Sequence, residues 1–180
     1  MQNDFCPGGT LAVPHGDAVI EPINRLVKAY LAAGDIVVYT KDHHPQDHHS
    51  FKANHPDGIW PYHCVQGTRG WELHPDLEVQ GPIFYKAFKT EEDSYSGFGG
   101  YIEPDPAATP LAVYLRKQGV AEVTVVGLAL DYCVKSTAID ARNLGFQAKV
   151  LLEATRAVNV NPEDGQLAID ELRQQGVLVQ

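Results

Sequence analysis

Histidines and one aspartate are concentrated in a single irregular stretch of this chain. Seven of the eight histidines lie between His43 and His74, directly after Asp42. Asp42 and His44 are alternate residues, so in extended backbone they project to the same side, and His63 follows a proline-containing turn. One carboxylate with two or three imidazoles suits Zn, Fe or Mn and leaves coordination positions open. The pattern predicts a divalent metal site, with His48 undecided as a ligand. The histidines interpreted as surface residues are His43, His49, His55 and His74.

A cysteine follows the turn between a predicted strand and a predicted helix. The apolar run 123–126 leads to Gly127, and Cys133 then opens a helical pattern that ends at Gly145. The unpaired N–H groups and the positive dipole end of a helix N-terminus favour a thiolate. A buried, inert cysteine is the more common situation, so this segment alone leaves both interpretations open.

Composition and charge exclude several classes of protein. The chain has 180 residues, of which 44% are apolar and 21% charged, as expected for one globular α/β domain spanning residues 1–180. The net charge is −9 without a basic block, which argues against nucleic acid and anionic membranes as partners. No stretch has the length of a membrane span, and no signal peptide is recognised. The three scattered cysteines favour a reducing, cytoplasmic location.

Helical and strand-like patterns alternate along the chain. Helices are predicted over 17–33, 111–117, 133–145 and 162–175, and strands over 36–39, 82–85, 122–126, 149–152 and 177–179. Continuous apolarity in the strands indicates a parallel sheet with helices on both faces. In such folds ligands bind beyond the carboxyl ends of the strands. The histidine-rich loop of about forty residues begins there, and loops of that length are usually functional.

Six blocks of residues occur in the order found in nicotinamidases, which belong to the isochorismatase-like cysteine hydrolases. They are Gln2–Leu11, Asp42–Pro45, Trp60–Gly67, Tyr85–Lys86, Asp93–Phe98 and Gly127–Val134. The resemblance covers essentially the whole chain. It implies a Rossmann-type three-layer fold and hydrolysis of the linear amide nicotinamide to nicotinate and ammonia in NAD salvage.

The resemblance also implies roles for particular residues. Cys133 would attack the amide through a thioester, and Lys86 rather than Lys89 would be the lysine of an Asp–Lys–Cys triad. Phe5 and Trp60 would grip the pyridine ring. Backbone N–H groups of Ala129 and Cys133 would receive the oxyanion, beside a cis peptide at Leu128–Ala129. The implied metal ligands are Asp42, His44, His63 and, in some family members, His48. A divalent metal, preferentially zinc, is the only cofactor implied.

The beginning of the sequence departs from the family pattern. The family has an apolar strand ending in the catalytic aspartate directly before the position of Met1, and Asp4 matches a different aspartate. We therefore expect a gap in the sheet, as in a fragment or a chain assigned an internal start. We also expect little amidase activity from these 180 residues.

Two alternatives remain open. One is another amidohydrolase or isochorismatase of the superfamily, and the other is a catalytically inactive relative that binds metal or ligand. Pyrazinamide as a second substrate and a homo-oligomeric state are also left open by the sequence.

Overall fold

The computed structural model describes all 180 residues, and its fold is α/β. The helices are α1 (Ile20–Ala32), α2 (Leu111–Lys117), α3 (Lys135–Asn143) and α4 (Asp164–Gln174). The strands are β1 (Tyr39–Asp42), β2 (Ile83–Lys86), β3 (Glu122–Leu128), β4 (Gln147–Arg156) and β5 (Leu178–Val179). Short 3₁₀ turns cover Asn3–Phe5, Gly16–Val19 and Gly97–Gly99, and a π-helical turn covers Leu130–Val134. No helix has both the length and the apolarity needed to cross a membrane.

All strand pairs are parallel, as the continuous apolar runs predicted. β1 pairs with β2, while β3, β4 and β5 form a second sheet in that order. Apolar clusters cover the strands on two sides, which confirms the prediction of a parallel sheet with helices on both faces. One cluster joins α1 to β1 and β4 through Val19, Ile23, Val27, Tyr39 and Ala154. The larger cluster joins α2, α3 and α4 to β2 and β4 through Phe84, Leu115, Ala138, Val150 and Leu172.

Most elements differ from their predicted bounds by a few residues, and three of the differences have a clear structural reason. The strand predicted over 36–39 begins only at Tyr39, because its ladder with β2 starts with the pair Tyr39 and Ile83. β4 extends to Arg156, well beyond the predicted 149–152, since its carboxyl end still pairs with Leu128 of β3. Cys133 does not open an α-helix but lies in the π-helical turn that precedes α3.

A groove separates the two sheets. β1 and β3 each pair on one edge only, and a cavity of about 550 Å³ lies between their facing edges. Its walls are mostly apolar and include Met1, Val27, Val38 and Val125. No ladder joins β1 to β3, so the two sheets meet across this groove through side chains.

Candidate active site

The carboxyl ends of three strands bring an acid, a lysine and a cysteine together. Asp42 ends β1 and Lys86 ends β2, and the strand register places the two residues directly opposite each other. Cys133 follows β3 in the π-helical turn. Lys86 Nζ lies 3.6 Å from Cys133 Sγ and forms an ion pair with Asp42. The parallel arrangement thus brings the three side chains to one edge of the fold.

The ion pair controls the charges at this point. Burial by itself would raise the pKa of Asp42, but Lys86 and neighbouring histidines lower it to about 2. Burial by itself would lower the pKa of Lys86, but the carboxylate of Asp42 raises it above its usual value. A fixed cation and a fixed anion are thus held beside the sulfur of Cys133 across the whole neutral pH range.

The cysteine itself is not an activated thiolate in this arrangement. Burial raises the pKa of Cys133 to about 11, although the cation of Lys86 acts in the opposite direction. The expectation that the helix N-terminus would favour the thiolate is therefore wrong for this state. The physical reason is desolvation, which outweighs a lysine that is already neutralised by Asp42.

Two histidines join Asp42 in a buried cluster. One ligand atom from each of Asp42, His44 and His63 lies within 4.8 Å of the others, and all three residues are buried. Burial lowers the pKa of His44 to about 3, so its ring is neutral and can offer a lone pair. His44 Nδ1 has no hydrogen-bond partner although it is buried. His63 Nδ1 contacts Pro61 O at 2.9 Å, which leaves Nε2 as the ligand atom. The donor set and the unpartnered nitrogen fit a divalent metal.

His48 lies beside this cluster with its ring nitrogens already engaged. Nδ1 is 2.8 Å from Ser50 Oγ, and Nε2 is 3.3 Å from Glu92 O. The ring centroids of His48 and His44 are 4.4 Å apart, and Asp93 completes an alternative ligand group with them. His48 therefore stays an undecided ligand.

His43 is not the free surface residue that the sequence indicated. Trp71 Nε1 donates to His43 Nδ1 at 2.9 Å, and the rings of His43 and Tyr85 lie 5.1 Å apart. Lys41 Nζ stacks over Trp71 at 3.1 Å from the ring centroid. This group packs beside β1 and contributes no residue to the cluster of Asp42, His44 and His63.

Aromatic side chains surround a narrow cavity between the cysteine and the metal-ligand cluster. The cavity has a volume of about 30 Å³, and Phe5, Trp60, Ala129 and Cys133 all line it. Trp60 Nε1 donates to the hydroxyl of Tyr95 at 2.9 Å, which fixes the orientation of the indole. The ring centroids of Phe5 and His63 are 5.7 Å apart. Both aromatic residues predicted to grip a planar ring therefore border the same cavity as Cys133.

The bond between Leu128 and Ala129 is a cis peptide, as the resemblance implied. Ala129 borders the cavity directly before the π-helical turn that carries Cys133. This places the two predicted oxyanion donors on one continuous segment beside the sulfur.

Sequence reasoning missed several residues that support this site. The side chain of Gln2 donates to Asp42 O at 2.9 Å and accepts from Asp42 N at 2.8 Å, so it fixes the backbone of a ligand. Lys86 Nζ also donates to Ser94 O at 2.8 Å. Val158 lines the cavity from the segment after β4. Gln2 and Ser94 stand within the family blocks, which was a usable signal, whereas nothing in the sequence singles out Val158.

The groove between the sheets is a larger cavity than this one, but it is not the candidate site. Cys133 borders both cavities. The groove is lined mostly by apolar side chains and holds no cluster of potential metal ligands, whereas the narrow cavity combines aromatic walls with a lysine, two aspartates and two histidines. Chemistry rather than volume therefore identifies the candidate site.

Comparison with known proteins identifies the family to which this chain belongs. The isochorismatase domain family matches residues 1–180. The nicotinamidase of Escherichia coli is 38% identical, over 98% of this chain and 89% of that protein. The nicotinamidase/pyrazinamidase of Mycobacterium tuberculosis is 43% identical, over 96% of this chain and 90% of that protein. The crystal structure of the pyrazinamidase of Pyrococcus horikoshii in complex with zinc superposes with a TM-score of 0.87 and 37% identity, covering 100% of this chain and 94% of that one. The chain therefore belongs to the isochorismatase family and is an amidohydrolase of the nicotinamidase type.

Proposed function

We propose that this protein hydrolyses nicotinamide to nicotinate and ammonia, as a step of NAD salvage in the cytoplasm. The observation that carries the proposal is the single narrow cavity bordered by Cys133, Lys86, Asp42, His44 and His63. A thiol, a cation and a buried metal-ligand cluster at one cavity suit attack on an amide that is attached to a metal-binding ring. The full-length similarity to nicotinamidases supports the same substrate.

The reaction takes place in two stages. Cys133 Sγ, as thiolate, attacks the carboxamide carbon, while the N–H groups of Ala129 and Cys133 receive the negative oxygen. Lys86 stabilises the thiolate from 3.6 Å. The tetrahedral intermediate collapses, and the amide nitrogen takes a proton and leaves as ammonia. Water then cleaves the thioester to give the carboxylate and the free thiol.

Asp42, His44 and His63 are the residues that would hold a divalent metal, for which we propose zinc. When bound, the ion supplies a Lewis acid that attracts the pyridine nitrogen and so orients the ring. The chain prepares this site in two ways. Burial keeps His44 neutral, and Pro61 O fixes the ring of His63.

Phe5 and Trp60 would grip the flat ring from the sides. The cavity is narrow, at about 30 Å³, so its walls would contact a flat ring closely. Phe5 is the residue best placed to move, because it is half-buried, whereas Trp60 is buried and tied to Tyr95. Pyrazinamide has the same shape and would bind in the same way.

We further propose that this 180-residue chain turns over nicotinamide slowly. Attack requires a base that accepts the Cys133 proton, and Asp42 is the only carboxylate in contact with Lys86. A carboxylate whose pKa is about 2 is a weak base, and Asp42 is also a predicted metal ligand. The same observation favours one alternative, a relative that binds nicotinamide and metal with little catalysis.

Ammonia and nicotinate release from nicotinamide by the zinc-loaded chain tests both proposals. The E. coli nicotinamidase serves as the positive control, and the Cys133→Ala variant as the blank. We expect a rate at least about 100-fold below the control, and an increase on adding formate, a small carboxylate that can act as a diffusible base.

Each proposal has its own contradicting result. A rate equal to that of the control, without formate, would refute slow turnover. The proposal that nicotinamide is the substrate would be refuted by a second result. In that result, folded, zinc-loaded protein neither binds nicotinamide in calorimetry nor releases ammonia at any formate concentration.

A further inference from the structure

Thr137 lies on the first turn of α3 and connects two parts of the candidate site through one hydroxyl group. Its Oγ1 donates to Cys133 O at 2.6 Å. The same oxygen accepts from Gly97 N at 2.8 Å. A helical threonine often bonds to the carbonyl four residues earlier, so the first bond by itself is ordinary. The second bond is not, because it comes from a loop forty residues away.

That loop supports the lysine beside the cysteine. Lys86 Nζ donates to Ser94 O at 2.8 Å. Ser94 Oγ in turn donates to Ser96 O at 2.9 Å, directly before Gly97. Together with the 3.6 Å contact between Lys86 Nζ and Cys133 Sγ, these bonds form a closed ring that starts and ends at Cys133. One continuous set of contacts therefore joins Lys86 to the backbone of Cys133 through Gly97 and Thr137, in addition to the ion pair between Lys86 and Asp42.

The identity of residue 97 supports the importance of this contact. A Cβ atom added to Gly97 would lie 2.8 Å from Thr40 Cγ2 and 3.4 Å from Thr137 Oγ1. Gly97 does not have a positive φ, so its backbone conformation alone does not demand glycine. Glycine is needed because the loop lies so close to α3 and β1 that any side chain at position 97 would push the loop away from both.

We propose that Thr137 is a positioning residue, which sets the separation between Lys86 and Cys133 by joining the loop at Gly97 to the backbone of the nucleophile. The inference rests on the proposed roles of Cys133 and Lys86, but Thr137 does not line the narrow cavity. It therefore acts on the reactivity of the sulfur and not on contacts with substrate.

The test measures the rate at which iodoacetamide alkylates each cysteine at fixed pH, by mass spectrometry of the peptides. Thr137→Val keeps the shape but loses both bonds, and we expect it to slow alkylation of Cys133 about fivefold to tenfold. Thr137→Ser keeps the hydroxyl and should restore the rate to within about twofold. Gly97→Ala, which displaces the loop and leaves the hydroxyl in place, should slow alkylation in the same way.

Cys6 and Cys64 report on general loosening, because both are buried. A merely structural role would raise alkylation of all three cysteines in Thr137→Val, whereas the positioning role lowers it at Cys133 alone. The matched control is Thr124→Val, which removes a hydroxyl bonded to Tyr30 OH at 2.6 Å, at the other end of β3. It should leave alkylation of Cys133 unchanged.

Three outcomes would overturn the inference: an unchanged Cys133 rate in Thr137→Val, a failure of Thr137→Ser to restore it, or increased alkylation of Cys6 and Cys64. None of these measurements uses nicotinamide, so failure of the proposed substrate would leave the test intact. Where turnover is measurable, kcat should fall with the alkylation rate while KM stays within about twofold.

Discussion

The proposed metal-ligand cluster and the proposed nucleophile, Cys133, border one cavity but are assembled in different ways. Asp42, His44 and His63 lie within a single strand end and the loop that follows it, and local contacts such as that of His63 with Pro61 fix their rings. Lys86 and Cys133 are 47 residues apart and come from separate sheets. The first group is local, whereas the second exists only when two sheets are held in register across a groove.

Burial also has opposite consequences for the pKa values of the two groups. Burial lowers the pKa of His44 to about 3, which leaves it ready to bind a cation. Burial raises the pKa of Cys133 to about 11, which leaves it unready to attack. Desolvation always favours the neutral form, so it prepares an imidazole ligand and suppresses a thiolate. Burial by itself therefore prepares the histidine, whereas the thiolate depends on the charges beside it, and Asp42 belongs to both halves.

Replacing the nucleophile should separate the two halves most clearly. Cys133→Ala is expected to lower turnover by about 10⁴-fold or more, since no other side chain can form the thioester. Zinc affinity, measured by competition with a chromophoric chelator, should stay unchanged because Cys133 is not a ligand. Loss of zinc binding in this variant would show that the halves are not independent.

Removing the lysine should have the next largest effect. Lys86→Met deletes the cation beside the sulfur and leaves Asp42 without its ion-pair partner. We expect kcat to fall about 10²-fold to 10³-fold, together with slower alkylation of Cys133. Lys89→Met is the matched control, because Lys89 pairs with Glu92 at 2.7 Å on the surface. Equal losses in both variants would argue against a specific role of Lys86.

A ligand substitution should affect the other half alone. His63→Ala is expected to weaken zinc binding by at least about 100-fold, more than loss of an outer partner usually costs. In metal-free protein, alkylation of Cys133 should stay within about threefold of the unsubstituted protein, since the lysine and the sulfur remain in place. His55→Ala, an exposed histidine outside the cluster, should change neither quantity.

The pH dependence of Cys133 alkylation is the prediction with the smallest expected effect, and the effect should change gradually with pH. Because the pKa of Cys133 is raised to about 11, the thiolate fraction should increase about tenfold per pH unit between pH 8 and 10. Alkylation of Cys133 in metal-free, folded protein should follow that slope. A plateau below pH 9 would mean that the cysteine is activated, and that the two halves are equally prepared.

The fold was largely predictable because its signals are local. Helix α2 has the predicted bounds, and α1 lies within the predicted range 17–33, since periodic apolar residues and terminal glycines act within a few turns. The start of β1 was not predictable in the same way. Val37 and Val38 are as apolar as strand residues usually are, but the ladder begins at Tyr39, where the partner strand begins.

The candidate site likewise has features that local sequence predicts and features that depend on tertiary structure. The sequence by itself determined the donor types of the metal-ligand cluster and the alternation of Asp42 and His44, because side-chain direction in extended backbone depends only on spacing. Tertiary structure alone decided that Lys86 pairs with Asp42, that Thr137 joins the Gly97 loop to Cys133, and that burial raises the pKa of the thiol. Those properties come from register between distant strands and from exclusion of water, and neither is encoded in local spacing.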